Sequence, residues 1–406
     1  MSSQDWWTQW ATEGWRHSGF AIRRDESVAK KVNTGSPSID RRSLVKGTAA
    51  AVTAGVAAGV AAGSAMSAAL AQASTGNPGF YVNRNQDGGE LVILNWYQPW
   101  IAEVMPIFEE ETGISVTQLG TYSSNDEWWA LLNAGEAFDF FIPTTAWFQR
   151  AMGADLIHEL DMDLIPNNAN LFEEFQANEL YQKDGGTYAV PFSRVYYCLT
   201  YNTNEFSEAP SSWEATWDEN YSGQITMQDQ AYARVGTTAL LLGDDPLAVT
   251  KWDEIRDKLF EQKELVSKYW VDYQNGMEMF VNEEVMLGQL TAGRTRMGKA
   301  NGGPIDWTVP DEGCLTFIDT FAIPRTSENP ENGHKFIDFL HRADIMAMQM
   351  ETLYYDTLNE AARAELDEEF ATQFEVREDA NLVLAVDLEP QLRSRIDELW
   401  TEVKLS

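Results

Sequence analysis

Apolar and polar positions along the chain form two kinds of pattern that alternate from residue 90 onward. Residues 91–96, 114–119 and 138–142 are short runs rich in aliphatic and aromatic side chains, which is typical of buried strands. Residues 100–111 and 125–132 repeat apolar side chains at helical spacing, which predicts amphipathic helices. The folded part of the chain is therefore expected to begin near residue 90.

The same alternation continues to the end of the chain. After residue 200 we predict strands at 223–227, near 266 and 285, and at 314–324, and helices at 231–242, 249–264, 331–340, 343–352 and 390–404. Strands that alternate with helices indicate an α/β fold, in which helices cover a buried, largely parallel sheet.

The N-terminal residues follow a different pattern. Residues 40–71 combine the pair Arg41-Arg42 with an uncharged stretch rich in Ala, Val and Gly and with a small-residue site near Ala71. These are the parts of an export signal, and the arginine pair resembles a twin-arginine signal. A retained membrane anchor is the alternative to cleavage, because the apolar run is long enough to span a bilayer. Residues 1–39 are expected to be a disordered leader or an overlong start, and residues 72–89 a linker.

The charge of the chain narrows the choice of partners. Sixty-three acidic residues stand against 29 basic ones, for a net charge of −34. Nucleic acid is excluded as a partner, since nearly every face would repel a phosphate backbone. An acidic surface suits solubility in a salty environment, and it is also compatible with attraction of cationic ligands.

Short motifs occur in a characteristic order along the folded part. They are Asn95-Trp96, residues 110–114, Phe138-Asp139, Pro143-Thr144-Thr145, Ala189-Val190-Pro191, Tyr201-Asn202, Trp213, residues 221–223, residues 313–324, and Tyr355 with Asn359. In order and spacing, from about residue 91 to 404, they resemble the spermidine/putrescine-binding proteins, which belong to the extracellular solute-binding proteins of ABC importers.

The resemblance implies a type II periplasmic-binding-protein fold, in which two α/β lobes close around a ligand by a hinge motion. Lobe 1 would comprise residues 90–197 and 316–350, and lobe 2 residues 198–315 and 351–406. The implied protein is an exported monomer without a cofactor, in the periplasm or at the outer face of the cytoplasmic membrane. It would deliver a small amine-containing solute, preferably a polyamine, to a membrane permease and its ATPase.

Several positions match the family's ligand-binding residues. Polyamine receptors need flat aromatic faces against the methylene chain and carboxylate or amide oxygens near the ammonium groups. The matching positions are Trp96, Tyr97, Gln98, Thr144, Thr145, Phe317, Asp319 and Tyr355, with Trp147 next to a position where an aromatic residue is usual. Asp319 is the central acid, and it interrupts an otherwise apolar strand, where burial is costly without a partner.

Other positions depart from the family pattern. The two usual amine-binding acids fall at Gln230 and Ala233, which leaves Asp229 of the acidic pair, and a cation appears at Arg294. Losing carboxylates and gaining an arginine disfavours a polycation. A receptor for an amino acid-like or other zwitterionic molecule is therefore the alternative to a polyamine receptor.

The sequence contains few features that are typical of an enzyme or of a metal-binding protein. The chain has four histidines and no Gly-rich phosphate loop, His-Glu-x-x-His or Gly-x-Ser-x-Gly motif. We therefore expect no catalytic residues and no metal site; a periplasmic enzyme that uses Asp229 and Asp319 as acid and base is the remaining alternative. Cys198 and Cys314 both fall at predicted crossovers between lobes, either as a disulfide or as free buried thiols.

Overall fold

The computed structural model describes residues 89–96, 99–122 and 124–406. The predicted leader, export signal and linker up to residue 88 lie outside this part, as do Tyr97 and Gln98. Within it, no helix has the length and hydrophobicity needed to cross a bilayer, and no cluster of three or more His, Cys, Asp or Glu side chains could hold a metal ion.

Strands and helices alternate much as the hydrophobic pattern predicts. The strands are β1 (Glu90–Trp96), β2 (Ser115–Tyr122), β3 (Phe140–Phe141), β4 (Gln182–Lys183), β5 (Gly186–Thr187), β6 (Val190–Asn202), β7 (Ile225–Gln228), β8 (Val266–Trp270), β9 (Leu287–Thr291), β10 (Ile305–Thr308), β11 (Cys314–Phe321), β12 (Asp356–Thr357) and β13 (Leu382–Leu384).

The helices follow in the same chain order. They are α1 (Pro99–Thr112), α2 (Asn125–Ala134), α3 (Thr145–Gly153), α4 (Glu173–Gln176), α5 (Ala231–Leu241), α6 (Trp252–Leu265), α7 (Tyr273–Val281), α8 (Ala292–Ala300), α9 (Pro330–Leu340), α10 (Ala343–Leu353), α11 (Glu360–Glu365), α12 (Glu368–Thr372) and α13 (Pro390–Leu405).

Two main sheets organise these elements. The first is fully parallel, with strand order β2-β1-β3. The second has the order β13-β11-β6-β9-β7-β8, and β10 and β12 also pair with β6. The alternation of strands and helices predicts a largely parallel sheet. This prediction is wrong for the second sheet, because β6 is antiparallel to β9, β10, β11 and β12.

Strands β6 and β11 connect two apolar cores. All 13 residues of β6 are buried, so the strand lacks the alternation of a half-exposed strand. Its N-terminal half packs through Phe192 in the first core, where the ring stacks on Phe321 of β11 at a centroid distance of 4.0 Å. Its C-terminal half packs through Leu199 in a second core, with Cys314 from the start of β11. The two strands thus cross between the lobes side by side in opposite directions.

The division of the chain between the lobes stays a prediction at the level of single residues. Leu353, Leu358 and Ala362 belong to the first core. We therefore propose that lobe 1 extends beyond residue 350, to about residue 362.

The two cysteines are free and buried. The Cys198 thiol donates a hydrogen bond to the carbonyl of Leu290 at 3.3 Å, and burial raises its pKa to about 12. Of the two alternatives, the structure therefore supports free buried thiols and not a disulfide. Buried in apolar surroundings, such thiols are unreactive.

Candidate functional site

A cavity of about 610 Å³ lies where the lobes meet. It is lined by residues from the first lobe, from the second lobe and from the crossover strand β11. Nine of the ten described residues that the sequence singles out line it: Trp96, Thr144, Trp147, Asp229, Gln230, Arg294, Phe317, Asp319 and Tyr355. The volume falls within the range of small-molecule binding sites, roughly 300–1,000 Å³.

Asp319 lies at a bulge near the end of β11. The register of β11 against β6 shifts between Asp319 and Thr320, and such bulges redirect side chains away from the regular pleat. The side chain is almost fully buried, with a residue exposure of 3%. Its Oδ1 has no hydrogen-bond partner, and no described cation lies within ion-pair distance. Burial raises the pKa of this carboxyl to about 8, and the protein itself does not satisfy its Oδ1.

Trp96 is held rigidly beside this acid. Its indole N–H donates to the carbonyl of Ile142 at 2.8 Å, and its ring packs edge-on against Tyr122 at 4.7 Å. The Tyr122 hydroxyl also donates to the Ile142 carbonyl and accepts from the Ile142 N–H. With its one donor satisfied by the protein, Trp96 presents an oriented aromatic surface to the cavity.

Adjacent residues at the start of α3 have different surroundings. Thr144 precedes the helix, pairs with Asp319 in an isolated antiparallel bridge and lines the cavity. Thr145 does not line it: its side chain is fully buried, and its hydroxyl donates to the carbonyl of Ile318 at 3.0 Å. The strand-to-helix turn therefore gives the cavity one threonine side chain, while the other joins lobe 1 to β11.

Trp147 lines the cavity but is already engaged. The guanidinium of Arg150 lies 4.2 Å from the centroid of the Trp147 ring. The ring also packs in edge-to-face geometry with Trp128 and Trp129, at centroid distances of 6.0 and 5.9 Å. Arg150 also pairs with Asp387 at 3.3 Å. Trp147 is thus part of an internal aromatic cluster that borders the cavity.

The acid and the amide that precede α5 also have internal partners. Asp229 Oδ1 accepts from the indole N–H of Trp400 at 2.8 Å and from the ammonium of Lys404 at 2.9 Å. Gln230 caps α5, because its Oε1 accepts from the N–H of Ala233 at 2.6 Å. Both residues line the cavity, and one side-chain oxygen of each is already used by the protein.

Tyr355 closes one side of the cavity by packing directly on Gly293. A Cβ atom placed on Gly293 would lie 1.8 Å from Cδ1 of the Tyr355 ring. Arg294 follows at the first turn of α8, and its Nη1 contacts Met297 Sδ at 3.7 Å. The absence of a side chain at position 293 therefore lets the tyrosine ring pack against the helix turn that carries Arg294.

Sequence reasoning missed two groups of cavity residues. Tyr197 and Tyr273 both line the cavity and share a hydrogen bond of 3.2 Å between their hydroxyls, and Tyr197 packs on Phe317. The helix α13 contributes Arg393, Asp397, Trp400 and Lys404. Their spacing of three and four marks one helix face, but it cannot indicate that this face borders the cleft.

Replacing Gly293 with alanine is expected to weaken ligand binding at least tenfold and leave the fold intact. The new methyl group and the Tyr355 ring cannot occupy the same space, so the ring is displaced from the cavity wall. Calorimetric titration with the ligand measures the loss. Gly153→Ala is the control, because nothing lies within 4 Å of a Cβ there. Equal affinities for the two variants would contradict the assigned role of the contact.

Comparisons with known proteins agree with this geometry. The family pattern of bacterial extracellular solute-binding proteins matches residues 103–377. The spermidine/putrescine-binding periplasmic protein of Escherichia coli (strain K12) is 27% identical over 303 residues, which are 73% of this chain and 85% of that protein. The putrescine/cadaverine-binding protein of Pseudomonas aeruginosa is 25% identical over 352 residues, which are 78% of this chain and 94% of that protein.

The fold is also shared with solved structures. The spermidine/putrescine ABC transporter substrate-binding protein PotD from Streptococcus pneumoniae superposes with a TM-score of 0.69 at 23% identity, over 78% of this chain and 99% of that one. The two-lobed fold and the resemblance expected from the motifs are thereby confirmed. Because the family pattern covers more than half of its length, the chain belongs to the family of bacterial extracellular solute-binding proteins.

Proposed function

We propose that this solute-binding protein captures a small solute with a protonated amine outside the cytoplasmic membrane and presents it to the permease and ATPase of an ABC importer. The observation that carries the proposal is Asp319, an acid buried in the cavity with an unpaired oxygen. A buried carboxyl without a partner is costly. An ammonium group would provide charge-assisted hydrogen bonds, each worth roughly 1.5–3 kcal/mol.

The aromatic residues around Asp319 support an amine attached to a carbon chain. Trp96, Phe317 and Tyr355 all line the cavity. Aromatic faces attract a nearby cation by about 0.5–2 kcal/mol each and also cover methylene groups. Polyamines are the first candidates, since the relatives from Escherichia coli and Pseudomonas aeruginosa are named for putrescine, spermidine and cadaverine.

The surroundings of Asp229 also fit a binding role better than a catalytic one. An acid–base pair of Asp229 and Asp319 would require two carboxyls that are free to exchange protons. Asp229 is instead fixed by Trp400 and Lys404. We therefore propose that the solute leaves the cleft chemically unchanged and that a single copy of the chain suffices for binding.

Isothermal titration calorimetry at pH 8 tests the proposal. Putrescine, cadaverine, spermidine and a monoamine are titrated into the purified protein, with 1,4-butanediol as an uncharged control of the same length as putrescine. At least one amine is expected to bind with a dissociation constant below about 10 μM, and the diol should give no heat. Absence of binding by every amine tested would refute an amine receptor.

A further inference from the structure

Arg294 is a cavity cation without an anionic partner. Of its five N–H donors, one contacts the sulfur of Met297, which is a weak acceptor, and the Nε–H is buried without a partner. No described carboxylate lies within ion-pair distance of it. The other three cations of the lining are occupied: Arg150 and Arg393 pair with Asp387, and Lys404 pairs with Asp229.

The helix that carries Arg294 begins without a side-chain cap. Thr291 occupies the N-cap position of α8 and makes no side-chain cap bond, so no cap side chain accepts from the first-turn amides. The Thr291 hydroxyl is itself fully buried without a partner. Helix N-termini attract anions through their free N–H groups and dipole. Arg294 is the residue of this turn that lines the cavity, so it is the donor group that a ligand in the cavity can reach.

The side chains that line the cavity are nearly balanced in charge, whereas the chain as a whole is strongly acidic. Five carboxylates and four cations line the cavity, whereas the whole chain carries a net charge of −34. A cavity selected for a ligand with several positive charges and no negative one gains from an excess of acids. A nearly balanced lining instead suits a ligand whose own charges nearly cancel.

We infer that the ligand carries a carboxylate in addition to its amine, and that Arg294 binds this carboxylate while Asp319 binds the amine. The arginine fork matches a carboxylate in a bidentate arrangement. This inference rests on the proposed amine receptor and narrows its substrate class to zwitterions.

The two ends of such a ligand are separated by a spacer. Arg294 and Asp319 do not form an ion pair with each other, and each has a buried polar atom without a partner. Each is therefore left to a separate charged group of the ligand. The aromatic lining offers cover for several methylene groups between the two charges.

Matched pairs of ligands test the inference. Each pair has the same chain length and differs at one end: 1,4-diaminobutane against 4-aminobutanoate, and so on up to eight carbons. An ω-amino acid is expected to bind at least tenfold more tightly than the diamine of the same length. The change Arg294→Gln should lower the affinity for the amino acid by about 10- to 100-fold. The affinity for the diamine should stay unchanged or rise.

Two further variants separate this role from general effects of charge and folding. Lys299→Gln removes a cation from the last turn of the same helix, where it pairs with Asp306 outside the cavity lining, and should change neither affinity. Arg294→Lys keeps the charge and should restore part of the binding. The carboxylate site is refuted, and the amine receptor stands, if every diamine binds as tightly as the amino acid of the same length. The same holds if Arg294→Gln does not lower the affinity for the amino acid. If neither series binds, both proposals are refuted.

Discussion

Replacing Asp319 with asparagine is expected to weaken amine binding by about 100-fold or more and, at the same time, to stabilise the unligated protein. Asparagine has nearly the same shape and cannot carry a negative charge. Two charge-assisted hydrogen bonds to an ammonium group account for about 100-fold in affinity. The binding loss follows directly from the buried position and unpaired oxygen of this carboxyl.

The gain in stability follows from the pKa of the same group. The folded, empty protein keeps the Asp319 proton up to a pKa of about 8, whereas the unfolded chain releases it near pH 4. Between these values the folded state binds more protons, so this group's contribution to the free energy of unfolding falls as pH rises. Removing the group should raise the free energy of unfolding by roughly 4 kcal/mol at pH 7 and by less at pH 5.

Urea unfolding of the unligated protein at pH 5 and pH 7, paired with calorimetric titration of the ligand, measures both effects. The control is Asp379→Asn, because that side chain is 83% exposed and outside the cavity lining. It removes the same charge and should change neither quantity by a measurable amount. A variant at position 319 that binds normally, or that is no more stable at pH 7, would contradict the assignment of this carboxyl to the ligand.

The elements of the fold could be predicted from local patterns, whereas their pairing could not. The predicted strand at 223–227 and helix at 231–242 agree with β7 and α5 within about two residues. The periodicity of a segment reports which of its sides is buried. It does not report strand direction, and β6, buried along all its length, gives no sign that four antiparallel partners surround it.

The candidate site shows the same division between local and distant information. Asp319 stands out in the sequence because an acid within an apolar strand needs a reason. The sequence does not indicate the partners of Asp229, since Trp400 and Lys404 lie more than 170 residues further along the chain. Thr145 differs from its neighbour Thr144 only in the direction that the turn gives its side chain. Such directions are set by tertiary packing.

The affinity for an amine is expected to rise by about 50-fold between pH 6 and pH 8, and the protein should release close to one proton for each ligand bound at pH 7. The pKa of Asp319 is about 8 in the empty cavity, so the carboxyl is largely protonated at pH 6. An ammonium ligand binds the ionised form, and the proton therefore has to leave. Above pH 8 the affinity should level off, until the amine loses its own proton.

Three tyrosine hydroxyls near Asp319 do not titrate in this range. Burial raises the pKa of Tyr122, Tyr181 and Tyr197 further above its usual value near 10, so all three hydroxyls stay neutral from pH 6 to pH 8. Titrations in buffers with different ionisation enthalpies count the released protons, and Asp319→Asn should abolish both the release and the pH dependence. An affinity that is constant between pH 6 and pH 8 would mean that Asp319 is already ionised in the empty cavity, or that it does not contact the amine.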